Sequence, residues 1–354
     1  MTEDGVEGWL QLPGAGEVES QAQGPQARTT SLADVVRRAA RSCDLAELML
    51  LIAEVGLPSE AARRGRRLVT LGRYLLELDL EDLDRSARTF PELADRIRGV
   101  SLPVTANAEH RGMLASLVPA MELLLEVVNV SWERHDMASL LATVHLMGEY
   151  LSLAAWEPVL GHAADPVRLL PIVSTAGSRW GRPDCPASGA QRSACGSMHG
   201  ALTWPQGWER YLDSDHAYVA EVLARCATCA VACAVRDTVP EAERRALRGR
   251  VSLAGDLAHG RLLKVRHASP VGHSFSLPDR GDLMAVWERD WKQLVGRHGR
   301  LLTDRAESSS CLPGLDTAVS AACGAPVRPG TLLHDVVSEL QDALLAHLDE
   351  GVSA

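Results

Sequence analysis

The sequence predicts a mainly α-helical protein: a helical bundle or short solenoid, then a second helical region joined through a Cys/Gly/Pro-rich loop. Three observations carry this. Apolar residues recur at three- and four-residue intervals through most of the chain after residue 30, the period of a helix with one buried face. Start and stop signals bracket those runs, such as "SLAD" at 31–34 and Gly56. Aromatic residues are only 4% of the chain, with two Phe, four Tyr and eight Trp, so Leu, Val and Ala must fill the core, which suits closely packed helices.

The elements follow in order. Residues 1–30 are rich in Gly, Gln and Glu without apolar period, the composition of a disordered acidic tail. Ser31 is placed to cap a helix running to about Arg41, with Asp34 near its positive end. "DLAELMLLIAEV" is a second helix, stopped at Gly56. A longer one is capped by Ser59 and keeps Leu68, Leu71, Leu75 and Leu78 on one side. Its basic start, Arg63, Arg64, Arg66 and Arg67, reads as a solvated face partly neutralised by nearby acids. Further short-looped helices complete an all-helical domain over 31–165, as in antiparallel packing.

Residues 166–213 break the pattern. Gly, Pro and Ser dominate, and a loop of that length is expected to be functional, metal-tied or disordered. A second helical domain spans 214–354. In it, Thr238 and Glu241 form a capping box, and "RLLKVRH", "ASPVG" and "HSFSLP" read as one β-hairpin over 261–277. Trp287 and Trp291 form a core stripe on the helix opened by Asp282.

Composition narrows function. Hydrophobic residues make up 46%, enough for a core, and 354 residues exceed one ordinary domain. A net charge of −10 speaks against a nucleic-acid partner, which needs a basic surface. No basic-then-apolar leader opens the chain, and "LAELMLLIAEV" is interrupted by Glu47 and Glu54, so a cytoplasmic protein without a membrane partner is expected. Disulfides are then not the expected state of its eight cysteines.

Three of those eight crowd into "RCATCAVAC". Val219, Val222, Cys226, Cys229 and Cys233 follow intervals of three and four, the seam of one helix face. Three readings stay open. Cysteine packs as a small hydrophobe, so the seam needs no chemistry. The same spacing lets thiolates converge on zinc, with Cys195 as the fourth ligand and Cys185 and His199 as alternates, since zinc takes four Cys or His in a tetrahedron. A thiol redox role is the third.

The order Cys195, Cys226, Cys229, Cys233 also resembles that of WhiB-like iron–sulfur regulators, over about residues 195–250. There, one cysteine precedes a CxxC and another follows, and "PEAERRALRGR" is similar to the helix after them. The resemblance implies a [4Fe–4S] cluster on these four residues and a redox-responsive regulator. Two features depart from that family: the last gap is three residues instead of five, and its Gly-Trp turn is missing.

Other constellations carry less. His199 is followed by Gly200 and Ala201, so a zinc deaminase would lack its acid–base Glu. His145 and Glu149 sit one turn apart without the paired Glu-x-x-His of a di-iron bundle. His259, His267 and His273 gather near the hairpin and mark the place for an enzyme site. No phosphate loop, nucleophile elbow or HExxH occurs. The function expected from sequence is a helical scaffold or adaptor that binds a protein partner and is stapled by a structural zinc site.

Overall fold

A computed structural model describes residues 31–80, 83–103, 105–174, 185, 187–204, 206–230, 233–267, 278–302, 305 and 307–352. The expected acidic tail, 1–30, and the distal part of the expected hairpin lie outside them. Among the described residues every regular element is helical.

The chain opens with α1 (Leu32–Arg41), α2 (Leu45–Glu54) and α3 (Ser59–Glu77). Ser31 accepts from the Asp34 amide as its position predicts, and Asp44 does the same for Glu47. Gly56 takes φ +73°, the left-handed conformation of a chain leaving a helix. The third start is displaced by one residue: Pro58 occupies the cap position of α3, and Ser59 is already helical. The arginine cluster is neutralised as expected of a solvated face. Arg63 pairs with Glu60, and Arg64 with Glu92 and Glu339.

Two short helices, α4 (Leu83–Thr89) and α5 (Ala94–Val100), precede a hairpin of long ones, α6 (Val118–Glu133) and α7 (Met137–Ala154). Asp136 caps α7 by accepting from the Ser139 amide. Helix α7 is the axis of the molecule. Its buried residues, from Met137 and Leu140 to Tyr150, Leu151 and Leu153, fall on all sides, as in a helix surrounded by others. The stretch 137–160 is apolar and long enough to cross a membrane by composition, yet here most of it is covered by protein.

Beyond α8 (Glu157–Leu160), the expected loop over 166–213 is largely helix: α9 (Pro166–Ser174), α10 (Ser188–Thr203) and α11 (Gly207–Arg210), then a π-helical turn at Tyr211–Asp215. Its small residues serve close packing. A Cβ on Gly207 would lie 2.0 Å from the Gly200 carbonyl oxygen, so glycine permits the tight corner between α10 and α11.

The remainder comprises α12 (His216–Ala227), α13 (Ala234–Thr238), α14 (Glu241–Ala258), α15 (Arg261–His267), α16 (Arg280–His298), α17 (Leu315–Cys323) and α18 (Leu332–Val352). Helices α12, α14, α15 and α17 pack around α7. Gly148 lets this happen: a Cβ there would meet Leu263 Cδ2 at 2.7 Å and the Ala258 Cα at 3.4 Å. The strand expected at 261–267 is therefore a correction, since "RLLKVRH" is α15. Its first turn is capped from a distance, by Asp290 Oδ2 accepting from the Leu262 amide at 2.7 Å. The capping box is a second correction. Pro240 occupies the cap of α14 without a side-chain hydrogen bond, and Thr238 instead donates to the Val235 carbonyl. Trp287 and Trp291 are buried with ring centroids 6.1 Å apart, the expected core stripe.

The last helix returns to the first. α18 packs on α3 and α1, and Leu340 and Val336 face the side of α3 carrying Gly65 and Gly72. Glu126 of α6 caps α18 by accepting from the Leu333 and His334 amides. The two sequence regions thus share one continuous core.

Candidate thiol site

The cysteine seam does not run along one helix. Helix α12 stops at Ala227. The Thr228 hydroxyl donates back to the Ala224 carbonyl, and the Cys229 amide to the Cys226 carbonyl, which turns the chain out of the helix. Cys226 is thus in the last turn of α12, Cys229 in the turn after it, and Cys233 at the cap of α13 with extended φ −152°. This corrects the single-face reading and separates the three thiols.

Cys226 and Cys233 nevertheless lie within hydrogen-bond distance of each other, and Cys185 is joined to Cys226 through a shared partner. The link is Gln191, buried in the first turn of α10. Its Nε2 donates to Cys185 Sγ at 3.2 Å and to Cys226 Sγ at 3.1 Å. Cys185, Cys226 and Cys233 are all buried. Helix α12 is itself held in place by Trp156, whose Nε1 donates to the Ala220 carbonyl, and by His216 stacked on Tyr150 at 5.0 Å.

The electrostatics run in one direction. The hydrogen bond from the Cys226 thiol lowers Cys233 well below the ordinary thiol range, against the effect of burial. The amides of Arg236 and Val235 help as oriented dipoles at the start of α13, without forming a full capping hydrogen bond. Cys226 moves the opposite way, raised first by sharing its proton with Cys233 and then by burial. The shared hydrogen bond thus makes Cys233 the more acidic of the two thiols and Cys226 the less.

The other expected ligands lie apart from this group. Cys195 is on α10, half-buried against the apolar core, and burial raises its thiol. His199, one turn on, is exposed. Cys229 is half-buried beside an open groove. Among the described residues no three His, Cys, Asp or Glu side chains are arranged to hold a metal ion. The Gln191 amide lies within hydrogen-bond distance of two of the sulfurs, in space that a metal shared by them would need. Among the described residues Cys195, Cys226, Cys229 and Cys233 are thus not drawn together as a tetrahedral set in this arrangement.

His259 is exposed at the end of α14, its Nδ1 2.8 Å from the Gly255 carbonyl oxygen. His267 closes α15, and His273 lies outside the described residues. His145 pairs with Glu149 along α7 at 3.1 Å.

A second polar centre carries no sequence motif. Arg111 grips Asp165 with two hydrogen bonds, at 2.7 and 2.6 Å, and the carboxylate is fully buried. Arg111 also donates to the Ala106 carbonyl and lies 5.5 Å from the Trp208 ring. Trp208 donates to the Pro103 carbonyl and Tyr211 to that of Ala164. The Asp165 amide donates to His162 Nδ1, so His162 is held as a neutral acceptor and burial lowers its affinity for a proton. Every group here is matched, which marks a structural clasp between the first helical region and the α11 corner.

No family model matches the chain, and no curated protein or solved structure is significantly similar to it.

Proposed function

We propose that this protein is a helical scaffold for a protein partner, controlled by a dithiol switch at Cys226 and Cys233. One arrangement supports the reading: Cys226 and Cys233 are buried and hydrogen-bonded to each other, which lowers the Cys233 thiol and raises that of Cys226, and Gln191 fixes Cys226 against Cys185. That division of labour suits oxidation by a peroxide. The Cys233 thiolate attacks one peroxide oxygen; an S–O bond forms, the O–O bond breaks, and hydroxide leaves to become water. The Cys226 sulfur then attacks the sulfenic acid; an S–S bond forms and water departs. Two thiols and one hydrogen peroxide become one disulfide and two waters.

The consequence for a partner is mechanical. The bond would close the turn that carries Cys229 and fix the end of α12 against the start of α13. Trp204, exposed directly after α10, offers a large amphipathic anchor on the helix that holds Gln191.

The test is peptide mapping of the full chain under non-reducing conditions after treatment with hydrogen peroxide. The expected product is a Cys226–Cys233 linkage, abolished in Cys233→Ser. Stoichiometric zinc in the freshly purified protein, lost with either cysteine, would replace the switch by a metal site. Brown protein with visible absorbance would replace it by iron–sulfur.

A further inference from the structure

The turn that separates Cys226 from Cys233 borders an open groove of about 650 Å³, of the size that small-molecule sites occupy. Cys229 lines it, with Arg236, Glu241, Arg244, Arg245 and Arg248. Four guanidinium groups against one carboxylate make this a concentrated positive surface on a chain whose net charge is −10.

Among the described residues none of these arginines is in an ion pair. Arg236 is fixed by donating to the Ala230 carbonyl, and Arg244 by donating to the carbonyls of Val239 and Arg236. Both are thereby held on the groove wall. Arg245 and Arg248 are exposed on α14, and among the described residues no carboxylate lies within ion-pair distance of either. Guanidinium forks in such a setting recognise carboxylates in bidentate fashion. A cysteine in the same groove adds a sulfur that can exchange.

We propose that this groove binds a small acidic disulfide, the oxidised form of a carboxylate-bearing low-molecular-weight thiol, and that Cys229 exchanges with it to form a mixed disulfide. The Cys229 sulfur, as thiolate, attacks one sulfur of the bound disulfide. A new S–S bond forms, the ligand's S–S bond breaks, and the other half leaves as a thiolate that takes up the proton Cys229 released. No further oxidant is needed. The inference goes beyond the switch at Cys226 and Cys233 and requires neither of them.

The experiment compares glutathione disulfide, which is acidic, with cystamine, a disulfide of opposite charge, on the full chain. Samples are quenched in acid early, before a neighbouring thiol can displace the adduct, and the modified cysteine is assigned by peptide mapping. The expected result is adduct at Cys229, formed about tenfold faster with glutathione disulfide, the scale of electrostatic guidance into a charged cleft. The exposed double variant Arg245→Gln with Arg248→Gln removes that preference. Added salt should do so without any mutation, slowing the acidic disulfide alone. Equal rates with the two reagents, or adduct on Cys195 or Cys311 ahead of Cys229, overturns the proposal. A disulfide at Cys226–Cys233 under peroxide stands or falls separately.

Discussion

The thiol site and the Arg111–Asp165 clasp both draw residues from the same stretch, 166–213, and are built on opposite principles. In the clasp a full charge meets a full charge, and the Arg111 guanidinium donates to oxygens. At the thiol site one amide serves two sulfurs, which are weak, polarisable acceptors. A saturated buried ion pair resists change, because removing either half strands the other. A sulfur cluster can change oxidation state with little movement. On the proposed function, the clasp holds and the thiols respond.

The largest effect expected from breaking this comparison is at the clasp. Asp165→Ala leaves Arg111 buried beside Trp208 without its counter-charge and should cost about 3–5 kcal/mol in chemical denaturation, the range for a severed buried pair. Next is Gly148→Val on α7. Its branches would press into Leu263 and the α14 backbone, costing about 1–3 kcal/mol as overpacking does. The same melting measurements should show Gly148→Ala to be milder, because the nearest atom is the movable end of Leu263.

Cysteine substitutions sharpen the other half of the comparison. Cys195→Ala removes one half-buried thiol from the core margin and should cost about 1 kcal/mol. It should leave peroxide-driven formation of the Cys226–Cys233 bond unchanged. If the loss matched that of Cys226→Ala, the two would share a ligand or a partner that the arrangement of α10 denies them.

The smallest effect is a pH slope. His162 is held neutral in the fold, so its folded pKa lies below that of the unfolded chain. The unfolded state then binds the proton first as pH falls. This contribution to stability is full above about pH 6.5 and declines as pH drops from there through the lower folded value. Denaturation followed from pH 8 to 5 should show this decline, and His162→Asn should flatten it.

What the sequence disclosed depended on whether a signal was local. Ser31 and Gly56 act within one turn of their own helix, and their roles were legible. The start of α15 was not, because its cap, Asp290, arrives from α16. With no local cap, a short apolar run such as "RLLKVRH" reads equally well as a strand. The cysteine spacing misled for a related reason. A three–four interval describes a helix only while the helix continues, and Thr228 begins the turn that ends it. Cys185 was legible as an alternate by residue type, whereas Gln191, which joins it to Cys226, belongs to no motif and is identified only by what surrounds it. The clasp was invisible because Arg111 and Asp165 are unremarkable letters far apart in the chain.

The return of α18 to α1 and α3 bears on synthesis. Helix α3 leaves the ribosome well before α18, the partner for the side that bears Gly65 and Gly72. Until then that apolar side has no native cover, and the amides that Glu126 will cap do not yet exist. The nascent chain must therefore wait, with its first core open, for α18. Contacts of such long sequence separation form slowly, and an uncovered apolar face invites association. Emergence of α18, more than that of any earlier helix, is the moment at which this fold can close, and the interval before it is when the chain most needs a chaperone.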